Sequence, residues 1–400
     1  MAKKKNNTGK IIAIILLILV LVFIAFFVWR NYEQISAFIQ KYFEQNSDDD
    51  DTIVSGDLSI HFLDLKTKNT GDCVYIKVGD VDIIVDSGPD RSSSTVIYNY
   101  LSVDNKFVSD GKIEYMIATH ADQDHIAGYA GSSSHKSLFT RYQVDTIIDF
   151  PLTNKTSQVY NDYVSQRDAK VATGTKHFSA LECYNQTQDG AQRKYDLGNS
   201  IELEILYNYY YENNSADENN YSVCFMINQG SRHFLFTGDL EKDGEKRLVE
   251  NNTLPQVDLF KAGHHGSKTS SNEELLEVIK PKICISTCVA GSCEYTNNID
   301  NMFPTQLFIN RIAKYTDKIY VPSVATIAVE YEDDGVTEKK DRYGNTKYKI
   351  VSFESLNGNI VVTSSAGQDV SVNCSNNNTL LKDTTWFLNN RQMPQEWKAA

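Results

Sequence analysis

The sequence predicts an α/β fold behind one N-terminal transmembrane helix. Three observations carry this expectation. From Gly56 onward, short apolar runs of strand length alternate with helical stretches. Histidines and aspartates gather directly after such runs, where a strand delivers side chains into a loop. At the N-terminus, Ile11–Trp29 is an unbroken apolar run of 19 residues.

That apolar run comes first. At about 1.5 Å per residue it spans the roughly 30 Å of a bilayer's hydrocarbon core. It has no polar face, unlike a buried amphipathic helix, and ends Phe26-Phe27-Val28-Trp29 rather than in the small residues of a cleavable signal. Lys3, Lys4, Lys5 and Lys10 precede it, so the basic side is expected to be cytoplasmic and everything beyond Arg30 extracytoplasmic. The expected organisation is a basic cytoplasmic tail (1–10), a transmembrane helix (11–29), a linker with four consecutive aspartates (30–55), one globular domain (56–385) and a tail (386–400). With 41% hydrophobic and 23% charged residues, the chain has the balance of an ordinary globular protein, and its length gives ample material for a core.

Within the domain, Leu58–Leu65, Asp72–Val78 and Val81–Val85 read as strands, with Gly79-Asp80 as a hairpin turn. The third strand runs into Asp86-Ser87-Gly88. Ile113–Ala118 is a further buried strand, and after it comes Thr119-His120-Ala121-Asp122-Gln123-Asp124-His125. Two imidazoles and two carboxylates within six residues crowd like charges unless a cation neutralises them, so this is the first candidate metal site. Gly128 suits a tight exit toward a helix. Val144–Ile148 is the next strand, 154–192 is polar, Ile201–Leu206 alternates as a half-buried strand, and Tyr207–Asn220 is a polar loop. Asn220-Tyr221-Ser222 leads into the strand Val223–Ile227. The stretch Phe234–Thr237 ends in Gly238-Asp239, and helix signals follow from Glu241 to Asn251. Val257–Gly263 delivers a second strand-end cluster, His264-His265-Gly266-Ser267-Lys268. Ser271–Ile279 is a helix, Lys282–Thr287 a strand, and short strands near 319–324, 327–331, 349–353, 360–363 and 370–373 complete the domain around a charged hairpin, Glu332–Lys347. Cys288 and Cys293 either close a small loop or belong to a reduced, buried set.

The pattern His120-x-Asp122-x-Asp124-His125, with Gly238-Asp239 and His264-His265-Gly266-Ser267, resembles the metallo-β-lactamase superfamily. Asp122 in place of that family's second histidine resembles the branch of ComEC-type competence proteins and phosphorylcholine esterase. The resemblance implies an αββα sandwich, a dinuclear site and hydrolysis. It implies that Asp86 supports the metal loop from behind, that Asp239 bridges two metals, and that Asn220-x-Ser222 precedes the bridging element. It departs at Phe303-Pro304, where that branch carries His-Pro; an aromatic ring takes no part in proton transfer or anion binding as imidazole does.

The expected metal ligands are His120, Asp122, Asp124, His125, Asp239 and His264. His264 is preferred over His265 because it leaves the strand first, and His265 is then left to touch substrate. Asp124 is also expected to take up a proton, and Ser267 and Lys268 to contact a phosphate. The expected cofactors are two divalent metal ions, Zn²⁺ or Mn²⁺, since Asp122 moves a histidine-rich site toward harder ions. Two such cations lower the pKa of a bridging water, orient it and stabilise a leaving oxygen, which suits a phosphodiester. The substrate is expected to be DNA or a smaller envelope phosphodiester. Setting aside the five basic residues up to Arg30 leaves 34 basic against 52 acidic side chains, a net charge of −18 that repels polyanions outside a local basic patch. The alternatives are a phosphorylcholine-esterase-like envelope hydrolase and a surface binding protein with a degenerate site. DNA uptake would need a separate channel protein, since the chain has a single span.

Overall fold

The computed structural model describes residues 56–293 and 297–398. The predicted transmembrane helix, basic tail and linker lie outside them. Among the described residues no helix is long and apolar enough to cross a membrane.

Among the described residues, eighteen strands follow one another. They are β1 (Asp57–Phe62), β2 (Val74–Val78), β3 (Val81–Val85), β4 (Lys112–Ile117), β5 (Gln143–Asp149), β6 (Lys176–Ser179), β7 (Lys194–Gly198), β8 (Ile201–Ile205), β9 (Phe225–Gln229), β10 (Arg232–Phe236), β11 (Leu259–Lys261), β12 (Ile283–Ile285), β13 (Val289–Ala290), β14 (Ile319–Tyr320), β15 (Ser323–Val329), β16 (Tyr348–Ser355), β17 (Ile360–Ser365) and β18 (Ser371–Cys374). They form an eight-stranded sheet, β18-β17-β1-β2-β3-β4-β5-β6, a seven-stranded sheet, β14-β12-β11-β10-β9-β8-β7, and a small sheet, β13-β15-β16.

Side-chain alternation explains how the two large sheets stack. In β10, Phe234 and Phe236 enter the core shared with Ile60, Phe62 and Ile76 of the first sheet, while Leu235 points the other way. The same split separates Phe225 and Ile227 from Met226 in β9, and Ile283 and Ile285 from Cys284 in β12. A strand that is apolar on both faces must be covered on both. Leu248, Leu275, Leu276 and Phe308, from helices Lys242–Asn251, Glu273–Ile279 and Gln306–Ile312, cover the outer face of the second sheet. Tyr129, Phe139 and Tyr163, from helices on the first sheet, pack into that sheet's own core. The result is a mixed α/β arrangement of helix, sheet, sheet, helix, the αββα order that the sequence resemblance implies.

Several sequence expectations are corrected. Gly128 does not precede a helix but lies inside one, Gln123–Ala130, where a Cβ would stand 2.3 Å from the Ser87 carbonyl oxygen. The polar stretch 154–192 holds a helix, Gln158–Val171, then β6 and a second helix, Ala180–Asn185, whose faces are too polar to show the period. Helix Glu273–Ile279 is entered from Asn272, not Ser271. The expected tail is part of the fold: Trp386 and Phe387 are buried, and the Arg391 guanidinium donates to the carbonyls of Met302 (2.6 Å) and Pro304 (2.8 Å). All seven cysteines are free thiols, so Cys288 and Cys293 close no loop.

Candidate metal centre

β3–β4–β5–β6 run parallel, as do β10–β11–β12, so their carboxyl ends lie at one edge of the sandwich. Loops leave strands there, and side chains from both sheets converge. β4 delivers His120, Asp122, Asp124 and His125, β10 delivers Asp239, and β11 delivers His264 and His265.

Local backbone geometry makes the convergence possible. Gly238 has φ +53°, and a Cβ there would lie 2.8 Å from the Ser222 hydroxyl, so only glycine turns the chain to aim Asp239 inward. The Ser222 hydroxyl in turn accepts the Asp239 backbone N–H at 3.0 Å, and the Asn220 side-chain oxygen accepts that of Glu241 at 3.3 Å. This gives the Asn-x-Ser element a positioning role. His264 and His265 both adopt left-handed conformations, φ 48° and 54°. Such backbone costs on the order of 1–3 kcal/mol per residue and persists where the surroundings over-determine it.

The Nε2 atoms of His125 and His265 face one carboxylate pair. His125 Nε2 lies 3.2 Å from Asp239 Oδ2 and 3.8 Å from Asp124 Oδ2; His265 Nε2 lies 3.3 Å and 3.1 Å from the same two atoms. His264 Nε2 is 4.0 Å from Asp239 Oδ2. The geometry therefore moves the preference for a ligand from His264 to His265. On the other flank, His120 Nε2 is 3.6 Å from Asp122 Oδ2.

Asp72, His125, Asp239 and His265 are buried and offer ligand atoms within 4.8 Å of one another. Asp72 nevertheless belongs behind the rings. Its Oδ1 is 3.1 Å from His265 Nδ1, which also donates to the Thr287 carbonyl at 3.0 Å. A carbonyl only accepts, so Nδ1 carries the proton and Nε2 is left to bind. Asp86 does the same for His125, accepting from its Nδ1 at 2.8 Å while also accepting the Thr119 N–H and hydroxyl, both at 2.8 Å. This is the supporting role expected of Asp86.

Charge and satisfaction favour a cation here. Burial alone would pull His125 and His265 down, but Asp239 with Asp86 and Asp72 outweighs it and holds both imidazoles well above their usual range. With acceptors at both ring nitrogens, each is satisfied as an imidazolium or by a cation at Nε2. Burial, reinforced by His125, pushes His120 well below its usual value, which keeps a neutral lone pair. His120 Nε2 and Asp239 Oδ1 are buried without a hydrogen-bond partner. Lys261 Nζ, buried beneath the site, lies 2.5 Å from Asp72 and 3.7 Å from Asp239, and Lys155 pairs with Asp122. Five carboxylates, Asp72, Asp86, Asp122, Asp124 and Asp239, thus face two lysines. Divalent metal fits that donor set and charge.

The structure does not bring every expected residue into this set. The Ser267 hydroxyl is buried against Thr269 at 3.1 Å, and Lys268 reaches Asn301 at 2.8 Å. Sequence reading missed Asp72, Lys261, Lys155 and Glu218. A lone lysine in the buried strand Leu259–Lys261 was the available signal for one of them. Glu218 pins the Lys155 loop to the metal loop by accepting from Ala121 N (3.3 Å), Thr153 Oγ1 (2.7 Å) and Asn154 N (2.7 Å), a contact between distant segments with no local pattern.

A cleft of about 500 Å³ opens from Asp124 past Phe303 to β16. The Phe303 ring packs against those of His265 and His264, with centroids 5.5 and 5.9 Å away, so an aromatic ring walls the centre where the resemblance implies a histidine.

The Metallo-beta-lactamase superfamily profile matches residues 216–284. ComE operon protein 3 of Bacillus subtilis is 27% identical over 180 residues, covering 44% of this chain and 20% of that protein. Competence protein ComA of Neisseria gonorrhoeae is 27% identical over 157 residues, 38% of this chain and 21% of that protein. This chain spans about a fifth of the length of these curated relatives. Among solved structures, the metallo-β-lactamase fold protein YhfI from Bacillus subtilis aligns with 68% of this chain and 97% of its own, at 11% identity and a TM-score of 0.41. Residues 216–284 thus match the metallo-β-lactamase superfamily, and the chain is similar over part of its length to ComE operon protein 3 and competence protein ComA.

Proposed function

We propose that this chain is a metal-dependent phosphodiester hydrolase, anchored by residues 11–29 with its domain on the extracytoplasmic side. The observation that carries the reading is the convergence of His125 Nε2, His265 Nε2, Asp124 and Asp239 at the mouth of a cleft, with His120 and Asp122 beside them.

In this reading Asp124, His125, His265 and Asp239 would hold one divalent cation, Zn²⁺ or Mn²⁺, and His120 and Asp122 would help hold a second beside it, with His264 nearby. When bound, such cations supply Lewis acidity and lower the pKa of water. The rest falls to the protein. Asp72, Asp86 and Thr287 fix the ring tautomers, Lys261 steadies Asp239, and Phe303 excludes water from one side. Asp124 is 29% exposed on the cleft side. Burial raises its carboxyl, but His125 and His265 outweigh that and bring it to about 2. A carboxyl so acidic is a weak base, so Asp124 suits orienting water and holding charge better than storing the proton. Water attacks phosphorus, one P–O ester bond breaks, and the leaving alcohol takes up a proton. Lys155, whose side chain is 34% exposed beside Asp122, is better placed than Lys268 or Ser267 to meet the phosphate.

The test is hydrolysis of bis-p-nitrophenyl phosphate and single-stranded DNA by the Mn²⁺- or Zn²⁺-loaded protein, with His120→Ala and Asp239→Ala as controls. Metal-dependent turnover lost in both variants supports the reading. Bound metal without turnover of either substrate refutes it.

A further inference from the structure

The loop between β5 and helix Gln158–Val171 is built to carry one side chain, Lys155, to the metal loop. At its base Asp149, buried at the end of β5, accepts from the Tyr163 hydroxyl and the Arg167 guanidinium, both at 2.9 Å, and meets His177 Nε2 at 2.8 Å. Further along, the buried Glu218 carboxylate uses both oxygens: Oε1 accepts from the Thr153 hydroxyl and the Ala121 N–H, and Oε2 accepts the Asn154 N–H. Ala121 lies between His120 and Asp122, so Glu218 joins the two loops where the ligands stand. Lys155 donates its own backbone N–H to Thr153 Oγ1 at 3.0 Å, and its ammonium group pairs with Asp122 Oδ1. An ion pair between two free-swinging surface side chains is worth little. Here the backbone on both sides is tied down and Asp122 is half-buried.

The pair divides the Asp122 carboxylate. Oδ1 faces the ammonium group, while Oδ2 lies 3.6 Å from His120 Nε2, a buried ring nitrogen without a hydrogen-bond partner. Asp124, by contrast, turns Oδ2 to the imidazoles of His125 and His265 at 3.8 and 3.1 Å. A cation on the side of His125 and His265 therefore meets carboxylate and imidazole. A cation toward His120 and Asp122 meets a carboxylate already paired with a positive charge, and like charges a few ångströms apart in a partly buried site oppose each other.

We propose that Lys155 competes with the second cation for Asp122, which makes the two metal positions unequal, and that a phosphodiester anion relieves the competition by drawing the ammonium group away. The inference rests on the two-cation hydrolase reading and adds its regulation. No covalent bond changes in this exchange; the ammonium group trades one anionic partner for another. Coupling of this kind is reciprocal, so an anion that tightens the second cation is itself held more tightly once that cation is bound.

The test follows Mn²⁺ binding by the full chain, Lys155→Met and Lys155→Arg through the electron paramagnetic resonance signal of the free ion, with and without dimethyl phosphate. Thermal melting of the metal-free proteins controls for folding. The unmodified chain and Lys155→Arg bind one Mn²⁺ at least about tenfold more tightly than a second, and Lys155→Met tightens the second about tenfold while leaving the first within about twofold. Dimethyl phosphate tightens the second ion about fivefold more in the unmodified chain than in Lys155→Met. Two equal ions in the unmodified chain, a second ion no tighter in Lys155→Met, or an equal effect of dimethyl phosphate on both overturns the proposal. Turnover of bis-p-nitrophenyl phosphate is read separately. The Mn²⁺ pattern without turnover sustains the competition while refuting the hydrolase, and turnover without the pattern refutes the competition alone.

Discussion

Replacing Asp86 by asparagine changes one atom's hydrogen-bonding sense and leaves the ligand set untouched. Asp86 Oδ1 accepts the Thr119 N–H, and Oδ2 accepts the Thr119 hydroxyl and His125 Nδ1, all at 2.8 Å. An amide in the same pose keeps its oxygen on the Thr119 N–H and turns its NH₂ toward the other two. The hydroxyl rotates to accept. The imidazole accepts only by moving its proton to Nε2, the atom that faces Asp124 and Asp239. Restoring the binding tautomer then sets two buried donors face to face, at about 1–3 kcal/mol, or about 5- to 150-fold in metal affinity. Competition of the variant with a chromophoric chelator for Zn²⁺ measures this directly, and thermal melting of the metal-free protein controls for folding. The metal-free melting temperature changes by only a few degrees, because nearly every bond keeps a partner. Unchanged zinc affinity, or a metal-free fold destabilised as much as the affinity, refutes the tautomer argument.

Three further outcomes follow from the same geometry. His265→Ala lowers metal affinity at least about tenfold more than His264→Ala, as read by equilibrium dialysis, because His265 Nε2 meets Asp124 and Asp239 at 3.1 and 3.3 Å; the reverse order restores the preference drawn from sequence. Gly238→Ala puts a methyl 2.8 Å from the Ser222 hydroxyl at a positive φ and destabilises the fold by about 2 kcal/mol or more, seen in the urea midpoint; a neutral result shows that the turn relaxes. Burial lifts the Glu245 carboxyl from 4.5 to about 7 against the pull of the Asn272 and Ser271 donors. The folded chain then binds this proton more tightly than the unfolded one, so the contribution is full below about pH 4.5 and is lost as pH rises through about 7. It amounts to about 3 kcal/mol at about 1.4 kcal/mol per unit. Glu245→Gln flattens stability over that window, and an unchanged slope assigns it elsewhere.

The strand ends were legible because each joins an apolar run to a short polar motif. β3 into Asp86, β4 into His120–His125, β10 into Gly238-Asp239 and β11 into His264-His265 all stand where the alternation placed them. The choice between His264 and His265 was not legible. It depends on two successive left-handed residues, and order along a strand says nothing of where rings point after such a turn. Asp72 stood at the head of an expected strand, but its place behind His265 depends on Thr287, more than two hundred residues away. The same holds for Glu218, which joins the loops of Ala121 and Asn154. Helix Gln158–Val171 escaped notice because only Tyr163 of it is buried, and Trp386 passed for tail because its partners lie on distant elements.

The most direct test of the metal centre is anomalous diffraction from crystals of the protein grown with Mn²⁺ or Zn²⁺. The expected result is a peak on the Nε2 side of His125 and His265, bounded by Asp124 and Asp239, with a second toward His120 and Asp122. A peak on the Nδ1 side beside Asp72, or none within the cluster at saturating metal, contradicts it.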